Sequence, residues 1–407
     1  MSNSKHAPGR KISEKHIDYS LQLNQWILKS IGAWPQISAS SSVYKIIILL
    51  QIFICLSIIA VPTIPCLLYV LFEAKNIQQK LKPMMPLINR FMSSMHYWVL
   101  LKRSDDIHKL IQHMETDWNL VQRIGEREVM LQHAKFGRFV TIICGIMMQG
   151  SSLLFGLGQS MRTATITIGN ETFTTHPTTC PIYSKIIDTR LTPLNEIAIV
   201  LQNVIILILS FCTAGGCSLA AAFAIHACGQ LNILYLWLHE LVENQMEKND
   251  KAEQKLADIV EHHLRILSFI SQLESIMHKL AFVQLTGCTI IMCLCGYYIV
   301  TIWETLDMIK LISYLFPYVS MGFNIFIFCY IGEIVTEQCK LVGEVAYMTD
   351  WYYLHHTTAR GLILIIVRSN NVVKITAGKL FHLSIATFGD VIKTSLVYCN
   401  FLRTLTM

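Results

Sequence analysis

Long apolar runs alternate with short charged stretches along almost the whole chain. Ile46–Phe72 is a run of 27 residues without a charge. A helix needs about 20 apolar residues to cross a bilayer core, so this run predicts a first span. The same pattern predicts spans at Pro83–Leu101, Phe139–Met161, Leu280–Trp303 and Leu311–Gly332, and a more polar one at Leu380–Leu402. Ile197–His239 is 43 residues without a formal charge. As one helix it would exceed about 60 Å at ~1.5 Å per residue; the alternative is two spans broken at Gly215-Gly216. Ahead of the first span, Ile27, Leu28, Ile31 and Trp34 recur at helical spacing and predict a short helix lying on the membrane surface, ended by Pro35. Residues 162–196 are a Thr-rich loop.

Basic residues choose between the two readings of the long run. With seven spans and the first residue inside, 23 of the 33 Lys and Arg fall in inner segments and 8 in outer ones. Breaking the long run into two spans gives 15 inside and 16 outside. Inner loops of membrane proteins are enriched in Lys and Arg. The expected fold is therefore an all-α membrane protein, a seven-transmembrane helix bundle with a cytosolic N-terminus and an extracellular C-terminus. Residues 1–45 form a cytosolic segment with the surface helix. Residues 46–332 hold transmembrane helices one to six, with helical cytosolic extensions at 102–138 and 223–279. Residues 333–371 are a cytosolic interface segment, and 372–407 carry the last span.

Composition agrees with a membrane bundle. Of 407 residues 53% are hydrophobic and 15% charged, against about 25% charged in ordinary soluble domains. The net charge of +6 follows from the basic inner loops and calls for no nucleic acid. The polar start has no apolar signal core, so the first span is expected to act as its own insertion signal. Most of the 13 cysteines lie inside apolar runs, which is packing usage. No nucleophile motif, phosphate loop or metal-ligand spacing stands out, so an enzyme and a cofactor are not expected. His262-His263 has no further ligand at metal spacing and is expected to be solvated. Arg90 sits inside the second span, and snorkelling to an interface or partial shielding by neighbours is its favoured reading over a functional one. The small residues of the third span, Gly156 and Gly158 among them, should let helices approach closely.

The last span carries His382, Ser384, Thr387, Asp390, Lys393, Thr394, Ser395 and Asn400. Such a helix cannot face lipid on all sides. It either lies in a bundle interior, with Asp390 and Lys393 paired at i,i+3, or it lines a pore.

Leu28-Lys29-Ser30-Ile31-Gly32-Ala33-Trp34-Pro35 resembles the N-terminal Leu-x-x-Ile-Gly-x-Trp-Pro of the insect odorant receptors. Trp351-Tyr352, Val367-Arg368-Ser369, Ile375-Thr376-Ala377-Gly378, Thr387-Phe388 through Lys393, and Phe401-Leu402-Arg403 resemble that family's C-terminal signature. The related gustatory receptors differ, since here Ser395 follows Thr394 and Asn400 precedes Phe401. The loop at 240–279 lacks the co-receptor's long insertion, so the chain resembles a ligand-tuning subunit.

The resemblance implies a ligand-gated, non-selective cation channel in the plasma membrane of sensory neuron dendrites. It implies a heterotetramer with the odorant receptor co-receptor, a central pore lined by the last helix, and a small volatile organic ligand held in the outer half of the bundle. Helix depth then points to Met85, Asn89, Met148, Ser152, Phe155, Val204, Tyr297 and Tyr298 as the ligand pocket. Lys393, Val397, Asn400, Phe401 and Thr404 form one stripe, with the gate expected at Val397 and Phe401; Leu396 is expected on another face. Tyr347, Trp351 and Tyr352 are expected at an intersubunit interface, since aromatics concentrate in interface cores. Asn170-Glu171-Thr172, in the long outer loop, is the expected N-glycan site. A G-protein-coupled receptor would have the opposite orientation. A transporter would usually show an internal repeat, and none is visible.

Overall fold

The computed structural model describes residues 8–35, 42–121, 123–168, 171–186, 193–243, 249–303, 307–371 and 373–406. Ten helices dominate them. The first is α1 (Pro8–Ser30), followed by α2 (Ser42–Leu68), whose end widens into a π-turn at Tyr69–Glu73. Next come α3 (Ile77–Lys102), α4 (Ser104–Leu120) and α5 (Ile124–Ser160). A hairpin of β1 (Ala164–Ile168) and β2 (Glu171–Thr175) interrupts the outer loop, with Ala164 opposite Thr175. It corrects the reading of that stretch as plain loop: alternating Thr and Ile around a two-residue connection suit a strand pair.

Then follow α6 (Leu194–Glu243), α7 (Asn249–Trp303), α8 (Met308–Met348) and α9 (His356–Asn370). A second hairpin, β3 (Thr376–Ala377) and β4 (Phe381–His382), leads into α10 (Ile385–Thr406). Among the described residues five helical stretches are long and apolar enough to span a membrane: Ser42–Glu73, Ile124–Ser160, Leu194–Val242, Ala252–Trp303 and Met308–Met348. The more polar α3 and α10, of 26 and 22 residues, complete a seven-helix bundle. In it α5 packs on α6 and α8, α7 on α3, α6 and α8, and α10 on α7 and α8.

α6 is one unbroken helix of 50 residues. Gly215 and Gly216 do not break it. A Cβ on Gly215 would lie 2.7 Å from Leu28 Cδ2, and one on Gly216 would lie 3.1 Å from His96 Nδ1. The pair is a seat for α1 and α3. α1 is thus anchored to the bundle along one face, while Tyr19 and Trp26 stay exposed. It packs against α4, α5 and α6, burying Leu21, Asn24, Leu28 and Ile31. Pro35 does not end it. Gly32 takes a positive φ of 69°, Ala33 N–H donates to Leu28 O at 2.9 Å and Gly32 N–H to Lys29 O at 3.2 Å. This is a Schellman-type stop, which glycine adopts at no steric cost. Tyr97 Oη then donates to Ile31 O, and Gln51 Nε2 to the carbonyls of Lys29 and Ser30.

The third span behaves as its small residues predict at two positions. A Cβ on Gly156 would collide with Asn203 of α6, and one on Gly158 with Ser313 of α8. The last span starts later than expected. Residues 380–384 belong to the second hairpin and its exit, and Ser384 Oγ accepts from Thr387 N–H at 3.2 Å as an N-cap. Gly378 has a φ of 62°, and its N–H donates to His278 O of α7 at 2.7 Å. Ile375, Ala377 and Leu383 are buried, so the signature Ile375-Thr376-Ala377-Gly378 docks this hairpin on α7.

At the inner end, α4, α6 and α7 share a buried ionic knot. Asp117 accepts from His226 Nε2 at 2.9 Å and from Arg265 Nη2 at 2.8 Å, with His113 Nε2 at 3.9 Å. Burial works against the Asp117 carboxylate, but the His226 hydrogen bond and the neighbouring cations outweigh it and hold its pKa below the usual range. Burial lowers the His113 pKa despite the pull of Asp117. His262 and His263 are not solvated as expected. His263 is buried, and the His262 ring lies 4.7 Å from that of Trp237.

Candidate functional site

In the outer half of the bundle α3, α5, α6, α7 and α8 leave a cavity of about 50 Å³. α3 contributes Met85, Pro86, Asn89 and Arg90; α5 contributes Ser151, Ser152 and Phe155. Ile206 and Leu209 of α6, Ile291 of α7, and Pro317 and Met321 of α8 close it. The walls are apolar apart from two serines, one amide and one guanidinium, the usual make-up of a small-molecule site. Ordinary pockets exceed about 300 Å³, so a volatile of about ten heavy atoms enters only if side chains give way. Met85 and Met321, unbranched and flexible, are the ones placed to do so.

Four of the eight expected pocket residues line this cavity: Met85, Asn89, Ser152 and Phe155. The other four do not. Val204 is 47% exposed. At ~100° per residue it points about 200° away from Ile206, toward lipid rather than the bundle. Met148 is buried deeper on α5, its sulfur 3.3 Å from Asn324 Nδ2. Tyr297 and Tyr298 stand one layer behind the wall. Phe155 meets Tyr314 edge-on at 6.2 Å, Tyr314 stacks on Tyr298 at 4.9 Å, and Tyr298 meets Tyr297 at 5.3 Å. This aromatic ladder carries the cavity wall toward the outer end of α7.

Arg90 lines the cavity and was not among the expected pocket residues. It is 1% exposed and reaches no interface. Its Nε, Nη1 and Nη2 are buried and have no hydrogen-bond partner among the described residues. An ionisable residue at membrane depth is a functional candidate by default, and that signal was already present in the sequence. Of the two favoured readings snorkelling fails and shielding by neighbours holds, because α3 places Arg90 on the face that packs on the bundle, between buried Leu87 and Ser93. Two larger hollows lie nearer the inner end. One of about 190 Å³ separates α5, α6 and α8 beside Val140, Cys228 and Ile331; the other, of about 290 Å³, borders Asp117, Glu126 and Arg265.

On α10 the expected pore stripe faces away from the chain's own core. Val391, Ser395 and Cys399 are buried, the last against Gly296 of α7. Lys393, Val397, Asn400 and Phe401 lie on the opposite side, with Val397 66% exposed. The neighbouring spans therefore do not cover Val397 and Phe401. Leu396, expected on another face, is exposed as well, because it borders the stripe one position before Val397. Asp390 and Lys393 approach to 3.7 Å on this open side. At the inner end of α8, Tyr347 is 64% exposed, and Met348, Trp351, Tyr352 and Tyr353 form an exposed apolar cluster beside it. Asn170 lies outside the described residues. Among those described, no group of three or more His, Cys, Asp or Glu is placed to hold a metal ion.

Comparison with known proteins agrees with this architecture. A family profile described as 7tm Odorant receptor matches residues 76–396. Odorant receptor 10 of Aedes albopictus is 24% identical over 156 residues, covering 38% of this chain and 41% of that protein. Odorant receptor 13a of Drosophila melanogaster is 26% identical over 196 residues, covering 44% and 46%. The matches thus span less than half the length of these relatives. The insect olfactory receptor OR5 from Machilis hrabei, solved in complex with eugenol, superposes with a TM-score of 0.77 at 15% identity, over 95% of this chain and 100% of that one. Without the ligand, OR5 gives a TM-score of 0.75. The profile covers well over half of the sequence, and a multi-pass helical receptor fold stands behind it: the chain belongs to the 7tm odorant receptor family.

Proposed function

We propose that the chain is a ligand-tuning subunit of a ligand-gated, non-selective cation channel, with the outer cavity as its volatile-binding site. The observation that carries this reading is the cavity itself: apolar walls from five helices around the guanidinium of Arg90, which has no hydrogen-bond partner among the described residues. A ligand with an apolar body and an acceptor oxygen suits it, the oxygen taking the donors that Arg90 leaves open. OR5 was solved with eugenol, an oxygen-bearing aromatic volatile, and its fold supports a similar role for this bundle. Opening the cavity for a ligand moves α3, α5 and α8, and α8 packs against α10. The open face of α10, with Lys393, Val397, Asn400 and Phe401, supports a pore-lining role once subunits assemble. The exposed aromatics Tyr347, Trp351 and Tyr352 support the intersubunit contact, with the co-receptor as partner in a heterotetramer. The expected site of action is the plasma membrane of a sensory neuron dendrite.

The test is co-expression with the co-receptor and recording of currents evoked by a panel of volatiles. Alanine at Met85, Asn89, Ser152 or Phe155 should change sensitivity unequally from ligand to ligand. If no volatile evokes a current at normal surface levels, the receptor reading fails. If all four variants weaken every ligand alike, the site lies elsewhere.

A further inference from the structure

The outer loop and the first span meet at two thiols. Cys66 lies near the outer end of α2 and Cys180 in the loop between β2 and α6. They are 114 residues apart in sequence, yet their Sγ atoms are 2.9 Å apart, and both are fully buried. No other two thiols among the described residues are in hydrogen-bond contact. The loop side is fixed independently of the sulfurs. Cys180 N–H donates to Gln202 Oε1 at 3.0 Å, Gln202 Nε2 donates to Cys180 O at 2.7 Å, and Thr179 Oγ1 donates to the same Gln202 Oε1 at 2.6 Å. The span side is fixed by α2, with Leu87 and Val70 packed around the pair. Two thiols alone are too few for a structural zinc site, which takes four ligands.

We propose that Cys66 and Cys180 form a disulfide in the mature protein, tying the outer loop to the first span beside the cavity. Sulfur atoms held this close from both sides require little movement to reach bonding distance. The pair lies on the side that the charge pattern assigns to the secretory lumen and then the exterior, where disulfides form and persist. The oxidant is a protein disulfide of the luminal oxidoreductase class. One thiolate attacks its sulfur to give a mixed disulfide and releases one donor thiol. The second thiolate then displaces the other. Two cysteine thiols lose two protons and two electrons, and the donor disulfide becomes a dithiol. The remaining cysteines sit in the bundle without such a neighbour and stay reduced.

The test uses the full-length protein purified from membranes without reductant. Maleimide labelling after denaturation should modify all but two of the 13 cysteines, and all of them after reduction. Peptide mapping without reduction should recover one linked species carrying Cys66 and Cys180. In Cys66→Ser, Cys180 should become labelled before reduction, and the reverse in Cys180→Ser. Labelling of both Cys66 and Cys180 in the unreduced wild type overturns the proposal, as does a linkage of either one to a different cysteine. Because the readout is covalent, it stands apart from whether any volatile opens a channel.

Discussion

Arg90→Met separates the two things a buried guanidinium can do. Methionine keeps a long unbranched stem and deletes the charge and three nitrogens that have no partner among the described residues. A buried donor without a partner costs about 1–3 kcal/mol, and more when it is charged; ion desolvation in real proteins costs several kcal/mol. Replacing Arg90 should therefore stabilise the ligand-free protein, by at least about 1 kcal/mol on the same scale, read as a rise of a few degrees in its melting temperature in detergent. Binding should suffer in the opposite sense. A hydrogen bond to a charged group is worth about 1.5–3 kcal/mol, or roughly a 10- to 150-fold change at about 1.4 kcal/mol per decade. Half-maximal concentrations for ketones, esters and phenols should rise by that factor in the variant expressed with the co-receptor, while hydrocarbons of equal size keep their potency. A variant that melts lower and loses all ligands equally would show that Arg90 is a structural cation with a partner, and the ligand role would fall.

The remaining expectations concern the other faces of the chain. Val397→Ser or Phe401→Ser should raise ligand-free current, because a polar ring stays wet where an apolar one closes by dewetting; normal resting current in both at normal surface levels removes them from the gate. A cysteine at Tyr347 should crosslink to the co-receptor, whereas products confined to one chain would place that aromatic cluster elsewhere. Glycosidase should shift the mobility of the wild type and leave Asn170→Gln unchanged. The Asp117 knot should weaken on acidification. His113 and Asp117 both have depressed folded pKa values, so their stabilisation is full above about 6.5 and fades below it, first through His113 and then, below about 4, through Asp117. Thermal stability measured against pH should fall in that order, and the His113→Phe variant should shrink the first step without removing it, because burial also lowers His262 and His263 to about 4; a flat profile would refute it.

Hydropathy and charge made the span count and the undivided α6 legible, because lipid enforces long uncharged helices and basic residues stay inside. What they could not supply is which face of each helix meets its neighbours. Val204 and Ile206 are both apolar, and only the rotation of α6 turns one outward and the other into the cavity. Gly215-Gly216 reads as a helix break in one dimension and becomes a docking seat only once Leu28 is brought back from almost 190 positions earlier. The N-terminal motif was readable as a resemblance, yet its work, stopping α1 at Gly32 and handing Ile31 O to Tyr97, depends on α3. Arg90 was readable as a charge at membrane depth, but between snorkelling and shielding by neighbours only the packing of α3 decides, and the bundle surrounds it.

The seat at Gly215 also sets a ratio of movements along α6. Ile206 and Leu209, in the cavity wall, lie about 9–14 Å from it toward the outer end, and Glu240 about 37 Å toward the inner end, at ~1.5 Å per residue. α6 runs without a break between these points, and Leu28 bears on it at the fulcrum. A tilt about that contact that shifts the cavity wall by about one ångström swings the far end by roughly three in the opposite direction. A lever with unequal arms is thus built into a single helix, and its long arm ends where Glu240 grips Arg123.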